Sequence, residues 1–299
     1  MQNPIVRSPF FYVGDKYKLM PQLQKLFPQN INKYIEPFCG GGSSFLNTKA
    51  NQYLLNDIDT NVINLHLFLN NENNSEELLN KLFKEIDYYK LSCSFKEDVI
   101  PTILKKEFPK TYFSKYNKEN YTKMKNDYNK TPNELLLYLL LIYGFNHMIR
   151  FNKKGEFNLP CGNVDFNKNV VNAIHNYMTF KNQNHLQFFN MDFENFLDNI
   201  KFEENDFIFL DPPYLISSSE YNKLWNTTKE KQLYKCLDEL NKKGIKFGLT
   251  NLLKHKGYTN EILLEFSKKY NTFSIDSNYI SFNDNTIKKT SNEIYICNY

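Results

Sequence analysis

Apolar runs of strand length alternate with helix-like segments in the first and last parts of the chain, and this rhythm limits its fold most. From about Tyr34 to His66, the runs KYIEPF and QYLLND are each followed by a turn and a helical pattern. The rhythm returns after about His185, with LQFFNMD, DFIFLDPPY, IKFGLTN, TFSIDS and NEIYICNY as strand candidates. Alternating strands and helices favour a parallel sheet.

The middle of the chain, from about Asn71 to Asn184, is rich in Lys, Asn and Tyr and has no regular strand pattern. Its clearest element is the helix PNELLLYLLLIYGFN, with Pro132 near the first turn and Gly144 near the end. We therefore predict an α/β fold with a mostly parallel sheet. Residues 1–70 and 185–299 form the sheet domain, and a mainly helical domain at 71–184 interrupts it.

Positive charge is concentrated in that middle region. The whole chain has a net charge of +4, whereas residues 101–160 carry eleven Lys or Arg against five Asp or Glu, a net +6. Such a cluster is either a solvated face or a patch that follows the phosphates of a nucleic acid.

Cysteine usage and hydropathy bound the compartment. The five cysteines are scattered, no two have the spacing of zinc ligands, and no targeting segment is visible. Reduced thiols in the cytoplasm, and no metal site, are therefore expected. The run LLLYLLLIY is too short to span a bilayer, so we predict a buried helix and no membrane association.

Three glycines, Gly40 to Gly42, lie in EPFCGGGSSF between a predicted strand and a predicted helix. Glycine lets the backbone approach a ligand closely, and a helix N-terminus favours anionic groups. Asp57 ends the next strand, 19 residues after Phe38, where an acid accepts hydrogen bonds from ribose hydroxyls. The dinucleotide pattern G-x-G-x-x-G fails at Phe45, so an adenosine-type ligand is favoured over a dinucleotide, with a tight connection as the alternative.

The run FIFLDPPY ends a predicted buried strand in an acid, two prolines and a tyrosine. Asp211 and the carbonyl of Pro212 are two acceptors held close together, and the prolines stiffen the turn. Tyr214 offers a flat face for stacking. Two acceptors beside an aromatic ring suit a planar ring with an exocyclic amino group, whose nitrogen lone pair they would aim at an electrophile. A plain turn that caps the strand is the alternative.

These segments, taken in order, resemble the Dam-type (class D12, alpha group) N6-adenine DNA methyltransferases. FFYVGDKYKLMPQL resembles the first motif of that family, EPFCGGGS its cofactor motif and LLNDIDTNVINLH its second motif. DPPY is its catalytic motif, GFNHMIRFNKKGEFNLPCG resembles its target-recognition stretch, and SNEIYICNY is similar to its closing strand. The resemblance spans nearly the whole chain.

The resemblance implies an S-adenosylmethionine-dependent enzyme that methylates the N6 amino group of an adenine flipped out of double-stranded DNA. The sheet would then be a Rossmann-like, mixed but mostly parallel methyltransferase sheet, and the insertion would be the target-recognition domain. Asp211, Pro212 and Tyr214 would hold and stack the target adenine. The implied cofactor-binding residues are Tyr12, Gly14, Lys16, Phe38, Gly40, Gly42, Asp57, Ile58, Asp192, Phe193 and Asp211.

The implied DNA-binding residues lie in the recognition stretch and are Asn146, Arg150, Asn152 and Lys153. Arginine suits guanine and asparagine suits adenine, although an exposed helix edge would show the same spacing of Asn146 and Arg150. The resemblance implies GATC or a related site as the target, and Phe11 and Val164 depart from the GATC-reading pattern. In the first motif, Tyr12 replaces the usual Trp and Asp15 replaces the second glycine.

Other functions remain open at this point. The enzyme could methylate RNA adenine or a protein glutamine, although the glutamine enzymes usually read Asn-Pro-Pro-Tyr. It could also be a DNA-binding relative without catalysis. The family further implies a role in restriction-modification with a partner restriction endonuclease, no catalytic metal, and a monomer or weak dimer.

Overall fold

The computed structural model describes residues 4–217, 225–277 and 291–299, which form two compact units. Unit 1 contains the described residues of Met1–Tyr17, Gly40–Leu46 and Asp59–Gln183. Unit 2 contains those of Lys18–Cys39, Asn47–Ile58 and Asn184–Tyr299. The predicted domain limits at residues 70 and 184 stay a prediction.

Unit 2 holds an eight-stranded sheet with the order β3-β2-β1-β4-β5-β8-β7, and β6 pairs with β5 outside this path. The first five strands of the path are parallel, whereas β8 is antiparallel to both β5 and β7. This confirms the predicted α/β fold class. The strands are β1 Ile31–Glu36, β2 Ala50–Asn56, β3 Leu186–Phe189, β4 Phe207–Leu210, β5 Lys246–His255, β6 Tyr258–Thr259, β7 Asn271–Ile275 and β8 Asn292–Cys297.

The burial of each strand follows its place in the sheet. All four residues of β4 are fully buried, as expected for a central parallel strand covered on both faces. The edge strand β7 is buried only at Ile275. Each of the seven predicted strands is present.

The helices of unit 2 are α1 Met20–Leu23, α8 Phe193–Asp198, α9 Thr227–Lys242 and α10 Glu261–Ser267. Side chains of Asp192, Asn226 and Asn260 accept hydrogen bonds from backbone N–H groups in the first turns of α8, α9 and α10. The helices predicted near residues 229–243 and 260–270 are thereby confirmed.

Unit 1 is mainly helical. Its α-helices are α2 Thr60–Asn71, α3 Ser75–Tyr88, α4 Thr102–Glu107, α5 Tyr112–Lys130, α6 Glu134–Tyr143 and α7 Lys168–Gln183. The predicted apolar helix is α6, which is buried from Leu136 to Tyr143 and ends at Gly144. Asn133 caps it, so Pro132 precedes the cap rather than lying in the first turn.

One predicted element is wrong. The glycine turn does not open an α-helix; a single 3₁₀ turn, Phe45–Asn47, follows it instead. Since β2 begins at Ala50, residues 43–49 are all that remain after the last glycine, fewer than two turns of α-helix. Phe45 and Leu46 are buried instead, so the segment packs inward.

Candidate active site

The ends of three neighbouring strands in unit 2 are joined by one buried side chain, that of Asn56. Its amide nitrogen donates to the carbonyl oxygens of Pro37, after β1, at 3.0 Å and of Met191, after β3, at 2.9 Å. Its side-chain oxygen accepts from the Met191 N–H at 3.0 Å, and its backbone oxygen accepts from the Cys39 N–H at 2.8 Å. Asn56 therefore sets three of the predicted cofactor segments relative to one another. It lies inside the quoted LLND run, but its role was not predicted.

Asp57 and Ile58 follow β2 directly. The Asn190 amide donates to their two carbonyl oxygens, at 2.8 and 3.1 Å, which ties this turn to the loop after β3. The side chain of Asp57 is half-buried and that of Ile58 is 55% exposed. An acid and an apolar side chain in this position suit the ribose and the ring of an adenosine.

Asp192 caps α8, the helix that follows β3, and Phe193 is the first residue of that helix. One Asp192 oxygen accepts from the Glu194 N–H at 3.0 Å, and the other lies 3.1 Å from the Lys229 amino group. Desolvation is the largest single influence and opposes the charge on Lys229, but the hydrogen bonds and charges of Asp192 and Glu194 together outweigh it and raise the lysine pKa. Phe193 is buried, and its ring centroid lies 5.5 Å from that of half-buried Phe38.

Asp211 stands at the carboxyl end of β4, beside residues from the next two strands. The Thr250 hydroxyl, on β5, lies 2.9 Å from one Asp211 oxygen, and the Tyr214 hydroxyl lies 3.0 Å from the same oxygen. The Tyr214 hydroxyl also lies 2.7 Å from a carboxylate oxygen of Glu293, on β8. Asp211 is half-buried, so its carboxylate is fixed on one side by this network.

The side chain of Tyr214 is only 6% exposed. Burial, together with the carboxylates of Asp211 and Glu293, raises its pKa well above the ordinary value, so the hydroxyl keeps its proton and acts as a donor. Because one hydroxyl hydrogen serves two carboxylates, the shorter contact makes Glu293 the favoured acceptor. Glu293 and Thr250 were not predicted, although an acid within the apolar strand NEIYIC was the available signal.

In unit 1, the first motif forms a tight turn. The Asp15 N–H donates to the Tyr12 carbonyl at 3.2 Å, and Gly14 has a φ of 79° that favours glycine. The Lys16 amino group donates to the Gly14 carbonyl at 3.2 Å. Asp15, which departs from the family pattern, accepts from the Ser43 hydroxyl at 3.2 Å and so ties this turn to the glycine segment.

The glycine segment needs its glycines for space as well as for backbone angles. Gly40 and Gly42 have φ values of 46° and 84°. A Cβ atom at Gly41 would lie 2.7 Å from the Tyr12 side chain, and one at Gly42 would lie 2.4 Å from the Phe45 ring. At Gly40 and Gly14 a Cβ would meet nothing within 4 Å, so a ligand has room to approach the backbone there.

A buried histidine holds this segment. His66, on α2, lies with Nε2 2.8 Å from the Gly40 carbonyl oxygen and Nδ1 3.2 Å from the Tyr177 hydroxyl. Burial lowers its pKa from 6.5 to about 4, opposed by the Gly40 hydrogen bond, so the ring is neutral near pH 7. His66 was not predicted, because a lone histidine on an apolar helix gives no sequence signal of its own.

The recognition stretch is not a helix edge. Asn146 lies in a short 3₁₀ turn, Phe145–His147, with φ 58° and ψ 20°, and the chain is extended at Met148. The Arg150 carbonyl accepts from the Asn158 N–H at 3.0 Å, and a bridge pairs Phe151 with Phe157. Asn146 and Arg150 therefore lie on a turn and a hairpin, so the helical alternative is wrong.

The hairpin orients its own polar side chains. Arg150 donates from Nε to the Asn158 side-chain oxygen at 2.8 Å and from a terminal nitrogen to the Asn158 carbonyl at 2.9 Å. The Asn152 side-chain oxygen accepts from the N–H groups of Lys154 and Glu156, at 2.9 and 3.0 Å. Lys153 is exposed at the tip.

The predicted site residues thus divide between the units. Unit 2 brings together one set at the carboxyl ends of its parallel strands, namely Phe38, Asp57, Ile58, Asp192, Phe193, Asp211, Pro212 and Tyr214. Unit 1 contains Tyr12, Gly14, Lys16, Gly40 and Gly42, and separately the hairpin residues Asn146, Arg150, Asn152 and Lys153.

Two further features concern only the residues that the structure describes. They include no group of three or more His, Cys, Asp or Glu side chains placed to hold a metal ion. Within the same ranges, no helix has the length and apolar character needed to cross a membrane.

Comparison with known proteins gives a family. The model of the D12 class N6 adenine-specific DNA methyltransferases matches residues 12–279. Type II methyltransferase M.FokI of Planomicrobium okeanokoites is 34% identical over 99% of this chain, and modification methylase StsI of Streptococcus sanguinis is 34% identical over 98%. The chain spans only 43% of the length of each of these two relatives. A DNA adenine methylase of Haemophilus influenzae is 28% identical over 74% of this chain and 69% of its own length.

Proposed function

Because the chain belongs to the D12 class N6 adenine-specific DNA methyltransferase family, we propose that it methylates the N6 amino group of adenine in a short specific sequence of double-stranded DNA. The observation that carries this proposal is the strand end in unit 2, where Asp211 is held by Thr250 and Tyr214 and is followed by the carbonyl of Pro212. The family match and the site chemistry agree. The proposed activity is that of an adenine-specific, site-specific DNA methyltransferase.

The proposed methyl donor is S-adenosylmethionine, and the residues of unit 2 fit its adenosine part. Asp57 would accept from the ribose hydroxyls, beside the apolar side chain of Ile58. Asp192 would accept from the adenine amino group, because an ionised carboxylate oxygen can accept more than one hydrogen bond. Phe38 and Phe193 would contact the ring.

Unit 1 carries further residues whose motifs resemble the cofactor motifs of the family. Gly40 and Gly14 leave open space beside the backbone, as a close ligand requires. Gly42 permits the turn, and Lys16, which is 9% exposed and bonded to the Gly14 carbonyl, adds a fixed positive charge near Tyr12. We propose that Tyr12, Gly14, Lys16, Gly40 and Gly42 contact the cofactor.

The proposed mechanism rests on hydrogen-bond acceptors rather than on a nucleophilic side chain. S-Adenosylmethionine supplies an electrophilic methyl group on a sulfonium centre. Asp211 and the Pro212 carbonyl would accept the two amino hydrogens of the target adenine, which localises the nitrogen lone pair toward that methyl group. As the N–C bond forms, the bond between the methyl carbon and sulfur would break with its electron pair left on the sulfur of S-adenosylhomocysteine. The amino group would give up one proton, for which Asp211 is the nearby base.

Tyr214 is proposed as the surface on which the flipped adenine stacks. Since its ring is only 6% exposed, an entering base would displace side chains that cover it. The contact of its hydroxyl with Glu293 would keep the ring in one orientation during that exchange.

The hairpin in unit 1 is the proposed DNA-reading segment. Arg150 has five N–H donors, of which Asn158 takes two, so donors remain for a guanine edge. We propose that Asn146 and Arg150 contact bases, and that Asn152 and exposed Lys153 contact the backbone phosphates. The net +6 of residues 101–160 supports attraction to DNA.

The biological setting is also a proposal. The relatives' names, Type II methyltransferase and modification methylase, suggest a role beside a partner restriction endonuclease. All five cysteines lie in described residues and are free thiols, which suits the cytoplasm. The monomer or weak dimer, the absence of a catalytic metal and a GATC-like target stay predictions.

One experiment tests the activity directly. The protein is incubated with labelled S-adenosylmethionine and either plasmid DNA, RNA or protein, and digested nucleic acid is analysed for N6-methyladenine. We expect label in DNA adenine. A protein that binds the cofactor but leaves no label in DNA would contradict the proposal, and greater transfer to RNA would reassign the substrate.

A further inference from the structure

The single tryptophan of the chain lies against two of the proposed cofactor-binding residues. Trp225 is 9% exposed and belongs to unit 2. Its ring centroid lies 5.6 Å from that of Phe38, edge-on at 84°, and 5.8 Å from that of Phe193. With the 5.5 Å contact between the two phenylalanines, the three rings form a closed triangle.

A buried acid fixes the indole. Trp225 donates from Nε1 to one carboxylate oxygen of Glu230, which is fully buried on α9. The other oxygen accepts from the Tyr234 hydroxyl, from Asn260 at 2.9 Å and from Asn251 at 3.2 Å. Asn251 belongs to β5 and Asn260 caps α10, so Glu230 joins the indole to the body of the sheet.

Lys229, on α9 beside Glu230, contacts Asp192, the other residue proposed to bind the adenine of the methyl donor. Lys229 lies 3.1 Å from Asp192 and places its amino group 5.4 Å from the centre of the Phe193 ring. Residues 225–230 therefore support both the ring pair and the acid. Ordinary core packing accounts for one buried ring, but it does not require a buried carboxylate to orient the indole.

We propose that Trp225 is a positioning residue for the adenine ring of the methyl donor. Trp225 acts through Phe38 and Phe193, whose rings it holds in place. Glu230 fixes the orientation of the indole. Edge-on contact between aromatic rings is favourable and directional, so the indole restrains the rotation of the Phe38 ring. This inference rests on the proposed function, because it assumes that Phe38 and Phe193 contact the cofactor.

Because Trp225 is the chain's single tryptophan, its fluorescence reports on this triangle alone. The protein is titrated with S-adenosylhomocysteine, with adenosine and with methionine, while calorimetry measures binding independently. We expect S-adenosylhomocysteine and adenosine to change the indole emission with saturation at the calorimetric affinity. Methionine, which lacks the ring, should leave the emission unchanged.

Variants separate positioning from simple packing. Trp225→Ala should weaken the binding of S-adenosylhomocysteine by about tenfold, as expected for the loss of two aromatic contacts, and Trp225→Phe should restore most of it. The KM for the cofactor should rise with little change in kcat. Glu230→Gln, which keeps an acceptor for the indole, should have a smaller effect than Glu230→Ala.

Phe247→Leu is the matched control. Phe247 is a fully buried ring of the same core cluster, and it packs on Phe266 and Tyr270 rather than on the triangle. It should lower the melting temperature as Trp225→Ala does, but leave the cofactor affinity unchanged.

The outcomes distinguish this inference from the proposed function. If calorimetry shows cofactor binding while the emission stays constant and Trp225→Ala binds as the wild type does, Trp225 is core packing only and the inference is overturned. The inference is equally overturned if Phe247→Leu weakens binding as much as Trp225→Ala does. If the wild type binds no cofactor in calorimetry, the proposed function itself fails and the inference fails with it.

Discussion

The strand end at Asp211 and the hairpin at Arg150 are built in opposite ways. Asp211 is held by Thr250, 39 positions away on β5. The adjacent Tyr214 is held by Glu293, 79 positions away on β8. Arg150 is held by Asn158, eight positions away and on the same hairpin. The first arrangement depends on the whole fold of unit 2, and the second on one local turn in unit 1.

This difference has a consequence for how each region tolerates change. A buried network of acids and hydroxyls loses much of its function when one member is removed, since the remaining groups are left without partners. A half-exposed hairpin can exchange side chains without disturbing a core. We therefore expect the reaction to be sensitive to substitution and the sequence preference to be adaptable.

The largest effect is expected at Asp211. Asp211→Ala removes the acceptor proposed for the amino group of the target adenine, so kcat should fall by at least about 10²–10³-fold, the size found when one preorganised hydrogen-bonding group is removed from an active site. Cofactor binding should persist. Turnover assays and calorimetry check both points, with exposed Asp198→Ala as the control. Retained turnover would remove Asp211 from its assigned role.

The next effect is expected at Glu293. Glu293→Gln keeps the shape but weakens the acceptor for the Tyr214 hydroxyl, so kcat should fall by roughly tenfold to hundredfold, or about 1.5–3 kcal/mol for a hydrogen bond to a charged group. A double-mutant cycle with Tyr214→Phe measures the coupling. If the two losses simply add, Glu293 does not act through Tyr214.

A smaller, selective effect is expected at Arg150. Arg150→Ala should relax discrimination at one base pair by about 1–3 kcal/mol while methylation itself continues. Sequencing of N6-methyladenine positions in DNA from cells that express the variant measures it. Asn158→Ala, which removes the side-chain acceptor of Arg150 Nε but keeps the arginine, is the control. An unchanged preference in Arg150→Ala would exclude this residue from base reading.

The smallest effect is a pH dependence of the recognition segment. Burial lowers the pKa of His147 below its ordinary 6.5, opposed by its hydrogen bond to the Leu141 carbonyl at 3.2 Å. The folded segment thus binds fewer protons than the unfolded one below pH 6.5, and loses stability as the pH falls through the folded pKa. As the pH falls, hydrogen exchange should show faster local opening of residues 145–151 but no such change in β4. His147→Gln should abolish the change; equal acid sensitivity in that variant would refute the assignment.

The strands were predictable because each carries its own signal. Runs such as FIFL and EIYIC have the length and apolar character of buried strands, so seven of the eight strands and their mostly parallel arrangement could be predicted, whereas the two-residue β6 and the strand order within the sheet could not. The DPPY turn was also predictable from its residues, since two prolines after a strand end the ladder of hydrogen bonds and stiffen the turn that follows. The helix predicted after the glycines is absent because β2 begins at Ala50 and leaves too few residues for it. The local sequence pattern did not show where β2 begins.

The sequence by itself determined the α/β class, the strand ends at Asp57 and Asp211, and the family to which the motifs point. Only the tertiary structure decided which distant side chains support them: Asn56 across three strand ends, Glu293 and Thr250 beside Tyr214 and Asp211, His66 behind Gly40. These residues are single polar groups in apolar runs, and no local pattern assigns their partners. A buried polar group must be satisfied, but which of many donors and acceptors satisfies it is fixed only when the chain has folded.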